Sequence, residues 1–225
     1  MNADVLSSLI QIMVVNIVLS GDNAVVIALA ARNLAPGRRQ LAILWGCGGA
    51  MVLRILMTLL AVQIMKIPLL QLAGASLLVW ISIKLLIEKP EEPNQQSTYD
   101  NIIGAARTIV IADILMSLDN TLAIAAVANG NQLLVVAGLA ISIPLIVFGS
   151  TIIMRMMDRF PIIIYIGAGL IAWTAGAMIG NDAVLRPYLP TLFVDSPFVS
   201  ILITTLVISV GWWHNKVTVL DRSRD

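Results

Sequence analysis

Charge is scarce in this chain. Only 12% of its 225 residues are charged, against about 25% in an ordinary soluble domain. Cysteine and histidine occur once each, as Cys47 and His214, and aromatic residues make up 5%. Each shortage excludes a class. One cysteine allows no internal disulfide framework, and one cysteine with one histidine cannot build a Cys/His metal cluster. A formal net charge of +1 offers no basic surface, so no nucleic-acid partner is expected. Hydrocarbon fills the chain instead: 59% of residues are hydrophobic and mean hydropathy is +0.93. A soluble sphere of this size could not hide so much apolar side chain, so the solvent is a lipid bilayer. Soluble enzymes, secreted modules and DNA-binding domains drop out; neither a catalytic residue nor a cofactor is expected.

A spanning helix needs about 20 predominantly apolar residues. Seven stretches qualify, near 5–31, 41–62, 67–87, 102–128, 133–154, 161–179 and 197–213. This is an all-α, polytopic membrane protein in a single transport domain, 1–225. The first stretch is too long for a signal-peptide core and lacks a basic flank, so it is expected to remain as a first transmembrane helix. The one polar linker is 88–100.

Loop charge sets the orientation. With seven spans, one side carries only Lys66 and Arg186. The other carries Arg32, Arg38, Arg39, Lys84, Lys89, Arg107, Arg155, Arg159, Lys216, Arg222 and Arg224. Eleven against two puts the N-terminus outside and the C-terminus in the cytoplasm.

The chain repeats itself. Residues 16–28 read NIVLSGDNAVVIA and residues 113–125 read DILMSLDNTLAIA, so Ser, Asp, Asn, Ile and Ala recur at an offset of 97. GASLLVW at 74–80 and GAGLIAW at 167–173 match at an offset of 93. Helices one to three (about 5–87) and four to six (about 102–180) are thus two copies of one unit, with a seventh helix (about 197–213) appended. Three spans per copy force the second to enter from the opposite side, giving a 3+3 inverted repeat, an architecture whose site lies at the midplane. Asp22 precedes Arg32 by ten residues and Asp119 precedes Asn129 by ten. At ~1.5 Å per residue both carboxylates sit roughly 15 Å deep in a ~30 Å core.

A carboxylate at that depth costs on the order of 2.5–3.5 kcal/mol on insertion scales. Asp22 with Asn23, and Asp119 with Asn120, read as a cation site built from oxygen ligands, which suits the hard divalent cations Mg²⁺, Ca²⁺ and Mn²⁺. The competing reading is a hydrogen-bonded pair gluing helices, or a carboxyl buried protonated. Asp113 is a third intramembrane acid, a ligand or proton acceptor. Asn16, Ser20 and Asn23 form one stripe at i, i+4, i+7, which Asp113, Ser117 and Asn120 repeat. For Asn16, Ser20 and Ser117, interhelical hydrogen bonding competes with a supporting site role. On an ideal helix the aspartates point roughly 100° from the stripe; loosening at Ser20-Gly21 would reconcile them in the first copy, but Leu118 offers no such help in the second.

Arg54 lies deep in the second span and has no counterpart, Val147 standing in its place. It is either a counter-ion for the acidic site when no metal is bound or an arginine snorkelling to the interface. Lys84 is expected to snorkel, and Asp182 to lie at the outer surface. Gly46, Gly48 and Gly49 with Ala50 read as close helix packing. The methionines show no common face and suggest no soft-metal relay.

The duplicated Asp-Asn motif, in SGDNAVVIA at 20–28 and SLDNTLAIA at 117–125, resembles that of the TerC family, nearest its short YjbE-type branch within the LysE exporter superfamily. The resemblance covers essentially the whole chain. It implies manganese export at the plasma membrane, with the acidic motifs handling the metal; the choice of Mn²⁺ over Mg²⁺ or Ca²⁺ rests on it alone. The resulting expectation is a divalent cation exporter working by alternating access, driven by an ion gradient with protons exchanged at an acidic site. The alternatives are an exporter of cationic organic solutes, which would call for a roomier, aromatic-walled site, and a membrane assembly partner that transports nothing.

Overall fold

The computed structural model describes residues 9–14, 16, 20–60, 67, 69–88, 98–117, 132–182, 184–188, 190 and 197–222. Among these there is no strand. Residues 9–14 and 16 are helical, followed by α1 (Gly21–Ala31), α2 (Pro36–Leu59), α3 (Leu70–Ile87), α4 (Thr98–Met116), α5 (Gln132–Arg159), α6 (Ile162–Asn181), a 3-10 turn (Arg186–Tyr188) and α7 (Phe198–Arg222). Within α2, α3, α5, α6 and α7 lie five segments long and apolar enough to cross a membrane. Less than half of each is buried within the protein. Trp45 (71% exposed), Trp213 (69%) and Phe148 (66%) point outward, which in a helix apolar all round is the surface that lipid covers.

The serine of the repeated motif is a turn in both copies. Ser20 is a turn with φ −112° and ψ 12°, and α1 starts afresh at Gly21. In the second copy α4 stops at Met116 and the equivalent Ser117 is again a turn. The Ser117 hydroxyl donates back to the carbonyls of Asp113 and Ile114, as Ser142 does to Gly138 inside α5. Helix ends also differ by a few residues: α2 begins at Pro36, suited to a first helical position, and α4 begins at Thr98, inside the expected linker.

The chain forms two compact units, Met1–Ile67 with Glu91–Asp158, and Pro68–Pro90 with Arg159–Asp225. In the first unit α4 packs on α1 and α2. Ile109 of α4 sits on Gly46 of α2, where a Cβ would lie 2.9 Å away, and Ile12 sits on Gly138 of α5, where it would lie 2.3 Å away. Those two isoleucines are 97 residues apart, and both are buried. Ile12 also closes a cluster with Leu134, Val135 and Leu139. Arg39 caps the end of α1, donating to the carbonyls of Leu34 (2.7 Å) and Arg32 (2.6 Å) and pairing with Asp158 on α5 (3.2 Å). Gly48, expected at a packed interface, meets nothing within 4 Å.

In the second unit α3, α6 and α7 pack on one another. Buried Gly74, Ala75, Leu78, Ser82 and Leu85 recur 93 residues on as buried Gly167, Ala168, Ile171, Ala175 and Met178, and Trp80 and Trp173 are both exposed. Ser82 Oγ donates to the Ala168 carbonyl (3.0 Å), a polar tie of the kind that joins helices in lipid. Lys84 lies over the Trp80 ring at 5.5 Å. Asp182 is not at the outer surface: it is 2% exposed. Its Oδ2 accepts the Leu72 N–H (3.2 Å) and its Oδ1 those of Val184 (3.0 Å) and Leu185 (3.1 Å). The carboxylate is buried because it satisfies amides left orphaned at the start of α3 and in the following turn. A groove of about 960 Å³ between α6 and α7 is lined by Trp173, Trp212, Trp213 and aliphatic neighbours, with no charged side chain.

A methyl added at Gly176 would stand 2.4 Å from Ser200 Cα and 2.8 Å from Ser200 N, and a backbone cannot rotate away. Gly176→Ala is therefore expected to destabilise the second unit by about 1–3 kcal/mol. Gly48→Ala should leave stability unchanged or raise it, by up to about 1 kcal/mol. Thermal unfolding of the detergent-solubilised variants checks both; equal losses would contradict this packing.

Candidate cation site

Arg54 organises the intramembrane polar residues. It projects from the middle of α2, its side chain is 5% exposed, and it does not snorkel. Its Nη1 donates to Asn16 Oδ1 (2.6 Å) and Ser20 Oγ (2.9 Å), and its Nη2 to Asp113 Oδ1 (2.6 Å). Ser20 Oγ in turn donates to Asn16 Oδ1 (3.1 Å). Asn23, 1% exposed, sends its Nδ2 to the same Asp113 Oδ1 (2.7 Å). One guanidinium thus joins the polar residues around the first break, Asn16 and Ser20, to the carboxylate one turn before the second. The Thr58 hydroxyl donates to the Arg54 carbonyl (2.8 Å).

Three buried polar atoms here have no partner among the described residues: Asn23 Oδ1, Asp113 Oδ2 and Arg54 Nε. Unsatisfied buried polar groups are rare in native proteins. Two of the three are oxygen acceptors beside a positive charge. A small cavity adjoins Arg54 and Asp113, lined also by Asn16, Cys47, Met51 and aliphatic side chains of α1, α2, α4 and α5. Chemically, the arrangement holds one positive charge among amide, hydroxyl and carboxylate oxygens out of reach of solvent.

Of the sequence-predicted site residues, Asn16, Ser20, Asn23, Asp113 and Arg54 come together. Asp22 is adjacent in the chain but separate in bonding: it is half-buried, and its Oδ1 accepts the Asn23 backbone N–H (2.9 Å). Ser117 is buried, and among the described residues its hydroxyl bonds to its own helix. Asp119 and Asn120 lie outside the described residues. Among those described, no three Asp, Glu, His or Cys side chains cluster as a ready-made metal cage. Cys47 and Met51 were missed as lining residues. Cys47, Met51 and Arg54 stand at i, i+4, i+7, one face of α2, but in a helix apolar on every side that face does not stand out.

Comparison with known proteins bears on the whole chain. The model of the integral membrane protein TerC family matches residues 1–219. The chain is 40% identical over 217 residues to the uncharacterized membrane protein YjbE of Bacillus subtilis (strain 168), covering 96% of this chain and 99% of that one. It is 28% identical over 163 residues to the inner membrane protein YgdQ of Escherichia coli (strain K12), covering 64% and 68%. The uncharacterized membrane protein YkoY of Bacillus subtilis is 25% identical over 163 residues, 64% of this chain and 50% of that protein. No solved structure matches significantly. Matched by the family model along nearly its whole length, the chain belongs to the TerC family of integral membrane proteins.

Proposed function

We propose that this protein exports a divalent metal cation, foremost Mn²⁺, from the cytoplasm across the plasma membrane by alternating access, without enzymatic chemistry. The observation that carries the reading is Arg54: a tethered positive charge held among Asn16, Ser20 and Asp113 at the break of a membrane helix. Broken helices at mid-membrane are where secondary transporters bind ions. In this reading the guanidinium holds the acidic site between turnovers, and the incoming cation displaces it from Asp113. Asp22, Asp113 and Asp119 carry the negative charge, while Asn23 and Asn120 supply neutral oxygens. An ion gradient drives the cycle, with protons returning to the carboxylates the metal leaves. The choice of Mn²⁺ and the place in the LysE exporter superfamily come from the family resemblance. A cationic organic solute would call for aromatic walls, and the cavity beside Arg54 is lined by none among the described residues.

Seven spans and an inverted repeat belong to this reading. It is supported by the breaks at Ser20 and Ser117, by the reciprocal seating of Ile12 on Gly138 and Ile109 on Gly46, and by the burial pattern recurring 93 residues apart.

The direct experiment is flux. Purified protein in liposomes should move Mn²⁺ well above protein-free vesicles, and absence of flux for every divalent cation would overturn the exporter reading. Orientation is tested separately. A cysteine at Gln95 should be shielded from an impermeant thiol reagent in intact cells, and one at Gln132 labelled. Cys47 is buried and can stay. Labelling at Gln95 with protection at Gln132 would reverse the topology.

A further inference from the structure

Asp113 Oδ2 has no partner among the described residues, and the small cavity that Asp113 lines is also lined by Cys47 and Met51. They stand one helical turn apart on α2, on the stripe that carries Arg54 one turn further along. The remaining walls of that small cavity, among them Ile109 on α4 and Leu139 on α5, are aliphatic. A cation drawn to Asp113 with Arg54 displaced therefore finds oxygen on one side and, among the lining residues, only sulfur on the other. Cys47 is 7% exposed and the chain's one cysteine.

We infer that Cys47 and Met51 are the selectivity wall of the site, admitting d-block divalent cations and disfavouring Mg²⁺ and Ca²⁺. This rests on the proposed export of a divalent cation and adds which cations the site takes. The reason is ligand chemistry. Mg²⁺ and Ca²⁺ are hard ions that require oxygen and gain nothing from a thiol or thioether. A d-block cation gains from sulfur, least for Mn²⁺ and more for Fe²⁺, Co²⁺ and Zn²⁺. With sulfur and hydrocarbon where oxygen ligands would be needed, a hard ion entering there is under-coordinated. Mn²⁺ then stands as the hardest cation the site admits, with Mg²⁺ and Ca²⁺ beyond the limit.

The test pairs binding with transport. Zn²⁺ bound to the purified protein is probed by zinc-edge X-ray absorption. The parent should show a sulfur shell at about 2.3 Å, and Cys47→Ser/Met51→Leu should replace it with lighter scatterers. In liposomes the parent's Mn²⁺ flux should resist excess Mg²⁺ or Ca²⁺. The double variant should keep Mn²⁺ flux while Mg²⁺ becomes a better competitor by roughly tenfold, the lower end of what altering a metal's surroundings does to affinity. Met156→Leu, at an exposed position, should match the parent in both assays. A sulfur-free Zn²⁺ spectrum in the parent overturns the inference, and so does an unchanged Mg²⁺ sensitivity in a double variant that still transports. A parent that binds Zn²⁺ through sulfur but moves no cation overturns the exporter reading and leaves a sulfur-lined binding site.

Discussion

Arg54→Met is expected to destabilise the protein by about 3–5 kcal/mol when no divalent cation is present, the usual cost of removing one partner from a buried ion pair. Asp113 would be left with only the Asn23 amide as a donor, and Asn16 and Ser20 would lose their strongest partner. The lost stability should return in two ways. Removing the stranded charge in Arg54→Met/Asp113→Leu should recover most of it, since an apolar pair of similar size commonly replaces a buried salt bridge at little cost. Adding Mn²⁺ to the single variant should recover it too, by about 2.7 kcal/mol at a hundred times the dissociation constant, because the metal takes the guanidinium's place. The double variant should not respond to Mn²⁺. Unfolding temperatures of the parent and both variants, with and without Mn²⁺, decide the matter. A single variant that Mn²⁺ leaves unprotected would show that Arg54 closes a structural gap and stands in for no cation.

That pair was not legible before folding. The sequence marks Arg54 as deep and unrepeated, but a partner 59 residues away on another helix becomes visible only when α2 lies on α4. Membrane class, the number of apolar stretches and the 97-residue recurrence are local properties of composition and period, and they can be read directly. The break in the first copy is half legible, since Gly21 follows the serine that turns. In the second copy Leu118 gives no such signal, although Ser117 is again a turn. Asp182 misled for a related reason. A carboxylate after Gly180 and Asn181 reads as surface loop, yet its charge serves backbone amides at Leu72, Val184 and Leu185. The face shared by Cys47, Met51 and Arg54 is visible as spacing, but nothing in an apolar helix distinguishes a cavity wall from a lipid contact.

Asp22→Asn and Asp119→Asn are each expected to abolish metal-dependent flux, and the double variant to be little worse than either. In the proposed inverted repeat, equivalent depth would bring the two acids to one ion instead of two separate sites. A cation held in a dry cavity loses most of its electrostatic compensation when any one carboxylate becomes neutral, so the second loss has little left to remove. Such non-additivity marks groups that act as a unit. The geometry around the first break sharpens the expectation for Asp22. Its carboxylate is half-buried, outside the Arg54 network, with one oxygen on the neighbouring amide. Asp22→Asn should therefore cost little stability, unlike Arg54→Met, and its effect should fall on transport. Separate loading and release sites would behave otherwise: each single variant would keep part of the flux, and the losses would multiply. Initial Mn²⁺ flux of the four proteins at matched reconstitution, read beside their unfolding temperatures, separates these outcomes. Multiplying losses would sink the shared site, and a large stability loss in Asp22→Asn would make that aspartate a structural residue instead of a ligand.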